Sequence, residues 1–138
     1  MADSIKKADY CYATLDDKPG EGARILDALK KAGVNLIAVH AFPTGGGKAQ
    51  LDLVAPDMGK LTAAAEKAGV RLSAKKTVLL MDGQDRPGAI AEILGKLASA
   101  KINVTAVDAV TAGGGRFGGL LWVKPGDVEK AAQALGAK

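Results

Sequence analysis

Two short turns carry the residues best suited to bind a small molecule. Residues 17–20 and 85–88 each contain an acidic residue, a basic residue, proline and glycine in that order, just before an amphipathic run. The free amides and the dipole of a helix start attract a carboxylate, while the aspartate can hold an ammonium group and a nearby asparagine can bond to either. The same residue types also form ordinary turns and caps. The predicted ligand-binding residues are Asp17, Lys18, Pro19, Gly20, Asn35, Asp85, Arg86, Pro87, Gly88 and Asn103.

The chain contains two copies of one pattern. The turn at 17–20 and the segment 33–39 recur as 85–88 and 101–107, at a constant offset of 68 residues from Pro19 to Pro87. Self-similarity at a fixed period indicates a duplicated structural unit. We therefore predict two domains, residues 1–75 and 76–138.

Hydrophobic spacing predicts the same elements in both copies. Alternating apolar residues predict first strands at 9–15 and 77–81, and helical spacing predicts an amphipathic helix after each Pro-Gly pair. Second strands at 35–42 and 103–110 connect through three glycines to third strands, and Pro with Asp opens a second helix. The order βαββαβ predicts an α+β fold of two ferredoxin-like units, each an antiparallel sheet with both helices on one face.

Only the first copy has a candidate fourth strand, residues 70–73. The second copy reaches Lys138 at its second helix, so we expect its last strand to be absent and its first strand to be an open edge. If the second strands of the two copies paired side by side, the fourth strand of the first copy and the first strand of the second copy would lie at opposite sides of the joined sheets. Residues 74–76 connect those two strands and span at most about 10 Å, which is too little for that arrangement. Either 70–73 is not an edge strand of its own copy, or it turns back beside 77–81 as the missing fourth strand of the second copy. We favour the second arrangement, in which the second-strand edges face outward to meet another chain in a homodimer.

Composition narrows the function classes. The net charge of +4 comes from lysines spread along the chain, a pattern that favours solubility over nucleic-acid binding. The single cysteine, Cys11, excludes an intramolecular disulfide and fits a reducing compartment. Residues 1–10 do not resemble a signal peptide, and no stretch approaches the length of a membrane span. We expect a cytoplasmic protein with no nucleic-acid and no membrane partner.

The sequence offers no set of residues for a catalytic or metal centre. An enzyme needs a base, a nucleophile or a metal cluster, yet the one histidine, His40, corresponds to Asp108 in the other copy. Gly113, Gly115 and Gly118 match a dinucleotide signature, but a strand follows them where that motif requires a helix. We predict a protein that is not an enzyme and has no cofactor or metal.

The turns and the strand openings together resemble the ACT domain. Asp-Arg-Pro-Gly-Ala-Ile-Ala from residue 85, with Lys-Ile-Asn-Val from residue 101, is close to the family pattern, and the first copy carries the same features. The resemblance implies a non-catalytic module that senses an amino acid or related carboxylate and regulates an enzyme of amino-acid metabolism, here in trans. In family members that bind a ligand, it lies between two side-by-side domains, against the first turn of one and the second-strand start of the other.

The two turns differ in their acidic residues. Asp16, Asp17 and Glu21 surround the first turn, whereas the second has Asp85 alone at the matched positions. Three carboxylates would repel an anion, so we expect any single class of site to use the turn at 85–88.

Two alternatives remain at this level. A protein-protein interaction scaffold without a ligand would use an exposed apolar sheet face, and Leu121 and Val123 occupy positions expected on that face. RNA-recognition domains share the strand order, and Phe117 and Trp122 lie on the third strand, where such domains stack bases. Because residues 78–81 of the first strand provide no aromatic partner, RNA binding is disfavoured.

Overall fold

The chain forms two compact units, seen in a computed structural model that describes residues 3–138. Asp9–Lys76 form the first unit; Thr77–Lys138, with the described residues up to Ala8, form the second unit. The elements in chain order are β1 (Ser4–Asp16), α1 (Glu21–Lys31), β2 (Ala38–Gly45), β3 (Lys48–Val54), α2 (Met58–Lys67), β4 (Lys76–Gln84), α3 (Ala89–Ser99), β5 (Ala106–Thr111), β6 (Arg116–Trp122) and α4 (Val128–Ala134), with a 3₁₀ turn at Pro125–Asp127. No helix in this part of the chain is long and apolar enough to cross a membrane.

The first unit has an antiparallel sheet in the order β2, β3, β1. In its register, Tyr10 lies opposite Val54 and Asp16 lies opposite Lys48. One face of this sheet packs against α1 and α2. The strands and helices follow the predicted order along the chain. The core residues of this unit are Ala13, Ile25, Leu29, Leu51, Leu53, Ala55, Leu61 and Ala64.

The fourth strand of the first unit is short and pairs within its own unit. Helix α2 ends at Lys67, and Gly69 just beyond it has a φ of 73° that turns the chain back along β1, as left-handed glycines after helix ends commonly do. Leu72 then forms an antiparallel bridge with Ala13 and packs against the core. The prediction that residues 70–73 pair beside β4 is therefore wrong.

The second unit obtains its fourth strand from the start of the chain. Its sheet contains β4, β6 and β5, and β1, whose residues up to Ala8 belong to this unit, is hydrogen-bonded beside β4. Ile5 is 5% exposed and lies in the same core cluster as Leu79 and Phe117, while its carbonyl accepts a hydrogen bond from the Lys138 amide at 3.1 Å. The expectation of an absent last strand and an open edge is therefore wrong, because a segment from the predicted first domain fills that place.

The inward face of each sheet is the face that meets the helices. Leu53 and Leu121, which are separated by the repeat offset, are both fully buried in the cores of their own units. Val123 is also in the core of the second unit, so the expectation that Leu121 and Val123 form an open apolar face is wrong. Side chains alternate along a strand, and the offset places both leucines on the helix side. The α+β fold with antiparallel sheets is confirmed.

Candidate functional site

The two predicted turns have the same backbone construction. The Asp17 amide donates to the Gly47 carbonyl at 2.9 Å, and the Asp85 amide donates to the Gly115 carbonyl at the same distance. Each acceptor glycine has a positive φ, 75° or 72°, which allows the hairpin to bend so that its carbonyl meets the turn. The glycine triplets thus do more than close hairpins, since they also hold the turns that precede α1 and α3.

Both turns open a helix without a capping side chain. Gly20 and Gly88 lie at the N-caps of α1 and α3, with φ of 92° and 81°, and neither helix start has a side-chain cap. Helix α2 is different, because the Asp57 carboxylate accepts from the Lys60 amide at 3.0 Å. The N-cap glycine has no side chain to bond to the following amides, and the Glu21 and Ala89 amides donate to the Lys18 and Arg86 carbonyls at 3.4 and 3.3 Å. The next amides of each helix suit a carboxylate.

A cleft of about 300 Å³ lies at the turn of the second unit. The turn and the first residues of α3 form one side, and the end of β5 with Phe117 forms the other. Backbone amides of α3 and the exposed carboxylate of Asp85 provide polar groups, while most of the remaining lining is apolar. The lining residues are Asp85, Arg86, Gly88, Ala89, Ile90, Ala91, Ala109, Val110, Thr111 and Phe117.

The guanidinium of Arg86 is already engaged inside the protein. It donates to both carboxylate oxygens of Asp3, at 3.0 and 3.1 Å, to Glu92 at 2.8 Å and to the Gln84 carbonyl at 2.9 Å. These contacts raise the pKa of Arg86, and the hydrogen bond from Arg86 holds the pKa of Asp3 below its usual range. Arg86 lines the cleft, but most of its donors serve the structure.

Sequence reasoning did not identify Asp3 and Glu92 as the residues that bind the Arg86 guanidinium. Asp3 lies 83 residues from Arg86, and no periodic pattern links the two positions. The available signal was indirect, since the second copy lacked a fourth strand and some other segment had to pair with β4. Nothing in the sequence pattern distinguished the N-terminal segment as that strand, because Ile5 is flanked by polar residues.

Charge does not separate the two turns in the way predicted. In the first unit, Asp16 accepts a hydrogen bond from Lys48 at 2.6 Å, and Glu21 pairs with Arg24 at 3.1 Å. The bond from Lys48 lowers the pKa of Asp16. Two of the three carboxylates are thus neutralised by partners, so the repulsion argument against this turn loses its force. The preference for the turn at 85–88 remains a prediction, and it now rests on the cleft that lies at this turn.

The predicted asparagines precede the second strands instead of opening them. Asn35 and Asn103 are exposed, and pairing begins only after them, where the Ile37 amide donates to Val54 and the Thr105 amide donates to Trp122. Asn35 lines a separate cleft of about 430 Å³ with residues from the end of α1. Neither this cleft nor the one at Asp85 combines a predicted turn with a predicted asparagine.

The second strands form free edges. Among the described residues, β2 pairs with β3 alone and β5 pairs with β6 alone. Large apolar side chains are exposed along or beside both strands, with Val110 reaching 70% exposure. Such edges can pair with another strand. The exposed residues are Ile37, Val39, Phe42, Val107 and Val110.

The residues considered for alternative functions are buried. Phe117 and Trp122 are 6% and 8% exposed, so neither presents a ring on which a base can stack. Cys11 is buried, and this burial raises the pKa of its thiol. Within residues 3–138, no group of three His, Cys, Asp or Glu side chains is placed to hold a metal ion.

The family model of the ACT domain matches residues 77–137. Residues 77–137 are an ACT domain. The matched segment contains the cleft at Asp85, the start of α3 and the free edge of β5, so the resemblance inferred from the sequence is confirmed for this ACT domain. No curated protein sequence matches the chain.

Solved structures extend the fold likeness beyond the ACT domain to the first unit. A protein of Bacteroides thetaiotaomicron is 18% identical, with 96% of this chain and 88% of that chain covered, at a TM-score of 0.82. The ligand-free regulatory subunit of aspartate kinase from Thermus thermophilus is 16% identical, with 99% and 95% covered, at 0.62. Aspartokinase III of E. coli, in complex with aspartate and ADP, is 17% identical, with 97% of this chain but 32% of that chain covered, at 0.55. These likenesses show a shared fold.

Proposed function

We propose that this protein is a regulatory amino-acid sensor built from two ferredoxin-like ACT units, Asp9–Lys76 and Thr77–Lys138 with the residues up to Ala8, and that it is not an enzyme. The observation that carries the proposal is the cleft at Asp85, because an uncapped helix start and a free carboxylate line it together within the matched ACT domain. The likeness to a regulatory subunit of aspartate kinase supports a regulatory role that acts on a separate enzyme of amino-acid metabolism.

The polar groups of the cleft match the two ends of an amino acid. Amides at the start of α3 would receive the carboxylate, and glycine at position 88 keeps the backbone open to close approach. The exposed Asp85 carboxylate would receive the ammonium group, while Ile90, Val110 and Phe117 would surround an apolar side chain. The hydroxyl of Thr111 donates to the Arg116 carbonyl, which leaves the lining near it mainly apolar. An aliphatic amino acid or a related carboxylate fits this lining best.

A second copy of the chain would complete the site. The free edges of β2 and β5 carry exposed apolar residues, and their pairing across a homodimer would cover them. Such a seam would bring the Asn35 or Asn103 segment of one chain towards a turn of the other, which explains why neither cleft combines both features. In this arrangement the turn residues 85–88 and an asparagine of the other chain contribute to binding across the seam, and residues 17–20 occupy the corresponding place in the first unit.

A thermal-shift screen against the twenty proteinogenic L-amino acids tests the function. A ligand that binds only the native state raises its stability, so we expect at least one amino acid at millimolar concentration to raise the melting temperature by roughly 3 °C or more. The Asp85→Asn variant should bind that amino acid about ten-fold more weakly in calorimetry, because a charged partner for the ammonium is lost. No shift with any amino acid would refute the sensor function.

Matched variants in the first unit show which turn binds. Gly20 and Gly88 both have positive φ and open space around them, so Gly20→Ala and Gly88→Ala impose similar backbone strain. We expect Gly88→Ala and Asp85→Asn to weaken binding, and Gly20→Ala and Asp17→Asn to leave it nearly unchanged. Equal losses in both pairs would show that both turns bind.

The homodimer has its own test. Light scattering should give the mass of two chains, and Val39→Glu, at an exposed edge position, should shift the population towards one chain because it places a charge in the apolar seam. A monomeric wild-type chain that still binds an amino acid at a single tight site would contradict the intermolecular seam.

A further inference from the structure

The N-terminal segment, residues 3–8, contacts a residue that lines the cleft at Asp85. Its first described residue, Asp3, forms a two-point ion pair with Arg86, and Arg86 also bonds to Glu92 on α3 and to the end of β4. Arg86 is itself a lining residue of the cleft. One guanidinium therefore joins the N-terminal segment to the strand, the turn and the helix that shape the cleft.

Gly83 provides the space in which Asp3 lies. A Cβ atom at Gly83 would collide with the Asp3 carboxylate and with the Phe117 ring, so both groups close over this glycine. Phe117 also lines the cleft. At the matched position of the first unit the residue is Leu15, whose side chain packs against that unit's core. The second unit thus has a place for a carboxylate where the first unit has an ordinary apolar side chain.

Three further contacts dock the same segment. Ile5 is buried in the core of the second unit, its carbonyl accepts from the Lys138 amide, and Lys7 pairs with Glu129 at 2.8 Å. Asp3 differs from these contacts because its partner belongs to the cleft. In the first unit, Lys18 occupies the position of Arg86 and is exposed, so the first turn has no equivalent link.

We infer that Asp3 is a positioning residue for the cleft at Asp85, acting through Arg86, and that docking of residues 3–8 and binding of a ligand in this cleft strengthen each other. The inference rests on the proposed amino-acid binding. Docking of the segment holds the Arg86 guanidinium in the position that shapes the cleft, and this couples the two events. By reciprocity, the factor by which docking raises ligand affinity equals the factor by which ligand stabilises docking.

Calorimetry on four chains tests the inference, with the twenty proteinogenic L-amino acids as probes. Asp3→Asn should bind the amino acid recognised by the wild type about ten-fold more weakly, which is a typical size for coupling of this kind. Asp3→Glu restores the carboxylate and should bind within about two-fold of the wild type. Lys7→Gln removes the other ion pair of the segment without touching the cleft and serves as the matched control, also within about two-fold.

Hydrogen exchange on the wild type gives a readout that needs no variant to fold. The same amino acid should slow exchange of the amides of residues 4–8 about ten-fold, together with those at the start of α3. Protection of α3 without protection of residues 4–8, or unchanged affinity in Asp3→Asn, would overturn the inference while leaving the proposed function intact. Absence of binding to the wild type would overturn both.

Discussion

The two units complete their sheets with segments from different parts of the chain. The first unit uses residues 70–73, which follow its second helix directly and contribute one bridge, between Leu72 and Ala13. The second unit uses residues up to Ala8, which are remote in sequence and bury Ile5 in its core. The comparison shows that a repeated sequence specifies a βαββα unit, while the last strand is supplied by whichever segment pairs with the first strand.

The two turns show the same contrast on a smaller scale. Both are held by an aspartate amide that donates to a glycine carbonyl at 2.9 Å, so their backbones are equivalent. Their basic residues differ in role, because Arg86 is tied to Asp3 whereas Lys18 is exposed. The shared turn backbone follows from the repeated sequence. The different roles of Arg86 and Lys18 follow from which segment of the chain completes the sheet of each unit.

The largest expected effect tests the equivalence of the two cores. Leu53→Ala and Leu121→Ala remove fully buried side chains at matched positions, so each should lower the free energy of unfolding by about 3 kcal/mol. Urea unfolding followed by circular dichroism measures both, and fluorescence of Trp122, the single tryptophan, reports on the second unit. A loss well under 1 kcal/mol in either variant would show that the repeat offset does not match the cores.

A smaller effect separates the two fourth strands. Ile5→Ala should cost about 2 kcal/mol, because Ile5 lies in the core of the second unit, whereas Leu72→Ala should cost about 1 kcal/mol, because Leu72 is only partly buried. The same urea measurements apply. If Ile5→Ala were the milder of the two, the N-terminal segment would not be an integral strand of the second unit.

The smallest expected effect concerns the Asp3–Arg86 ion pair, which has no counterpart at Lys18 in the first turn. The folded pKa of Asp3 is lowered, so its contribution to stability is present above its unfolded pKa of about 3.9 and is lost as the pH falls through the folded value. Asp3→Asn should therefore be less stable than the wild type at neutral pH, and the difference should shrink in acid. Lys7→Gln is the control. An equal difference in stability at neutral and acidic pH would show that the Asp3 charge does not stabilise the fold.

Element types could be predicted from the sequence, but some boundaries could not. Second strands were predicted from 35 and 103, so Val34 and Leu36 flank the predicted start of the first of them. In the structure both side chains pack against the core before pairing starts at Ala38. Hydrophobic alternation reports burial on one face, and a segment that passes under a helix satisfies it without hydrogen-bonding to a neighbouring strand.

The candidate site was predicted in part. The turn residues and the uncapped start of α3 follow from the Pro-Gly pattern, because those residue types adopt one local conformation whatever surrounds them. The occupied donors of Arg86 and the role of Asp3 could not be predicted, since both depend on a contact across 83 residues.

The duplication, the α+β class and the glycine-capped starts of α1 and α3 were determined by the sequence alone, because each depends on periodicity or on backbone preferences of nearby residues. Only the tertiary structure decided which segment completes each sheet, how the carboxylates near each turn are paired and where Asp3 lies. Those features depend on pairing between distant segments, and the free energy of such pairing comes from burial and charge contacts that no local pattern records.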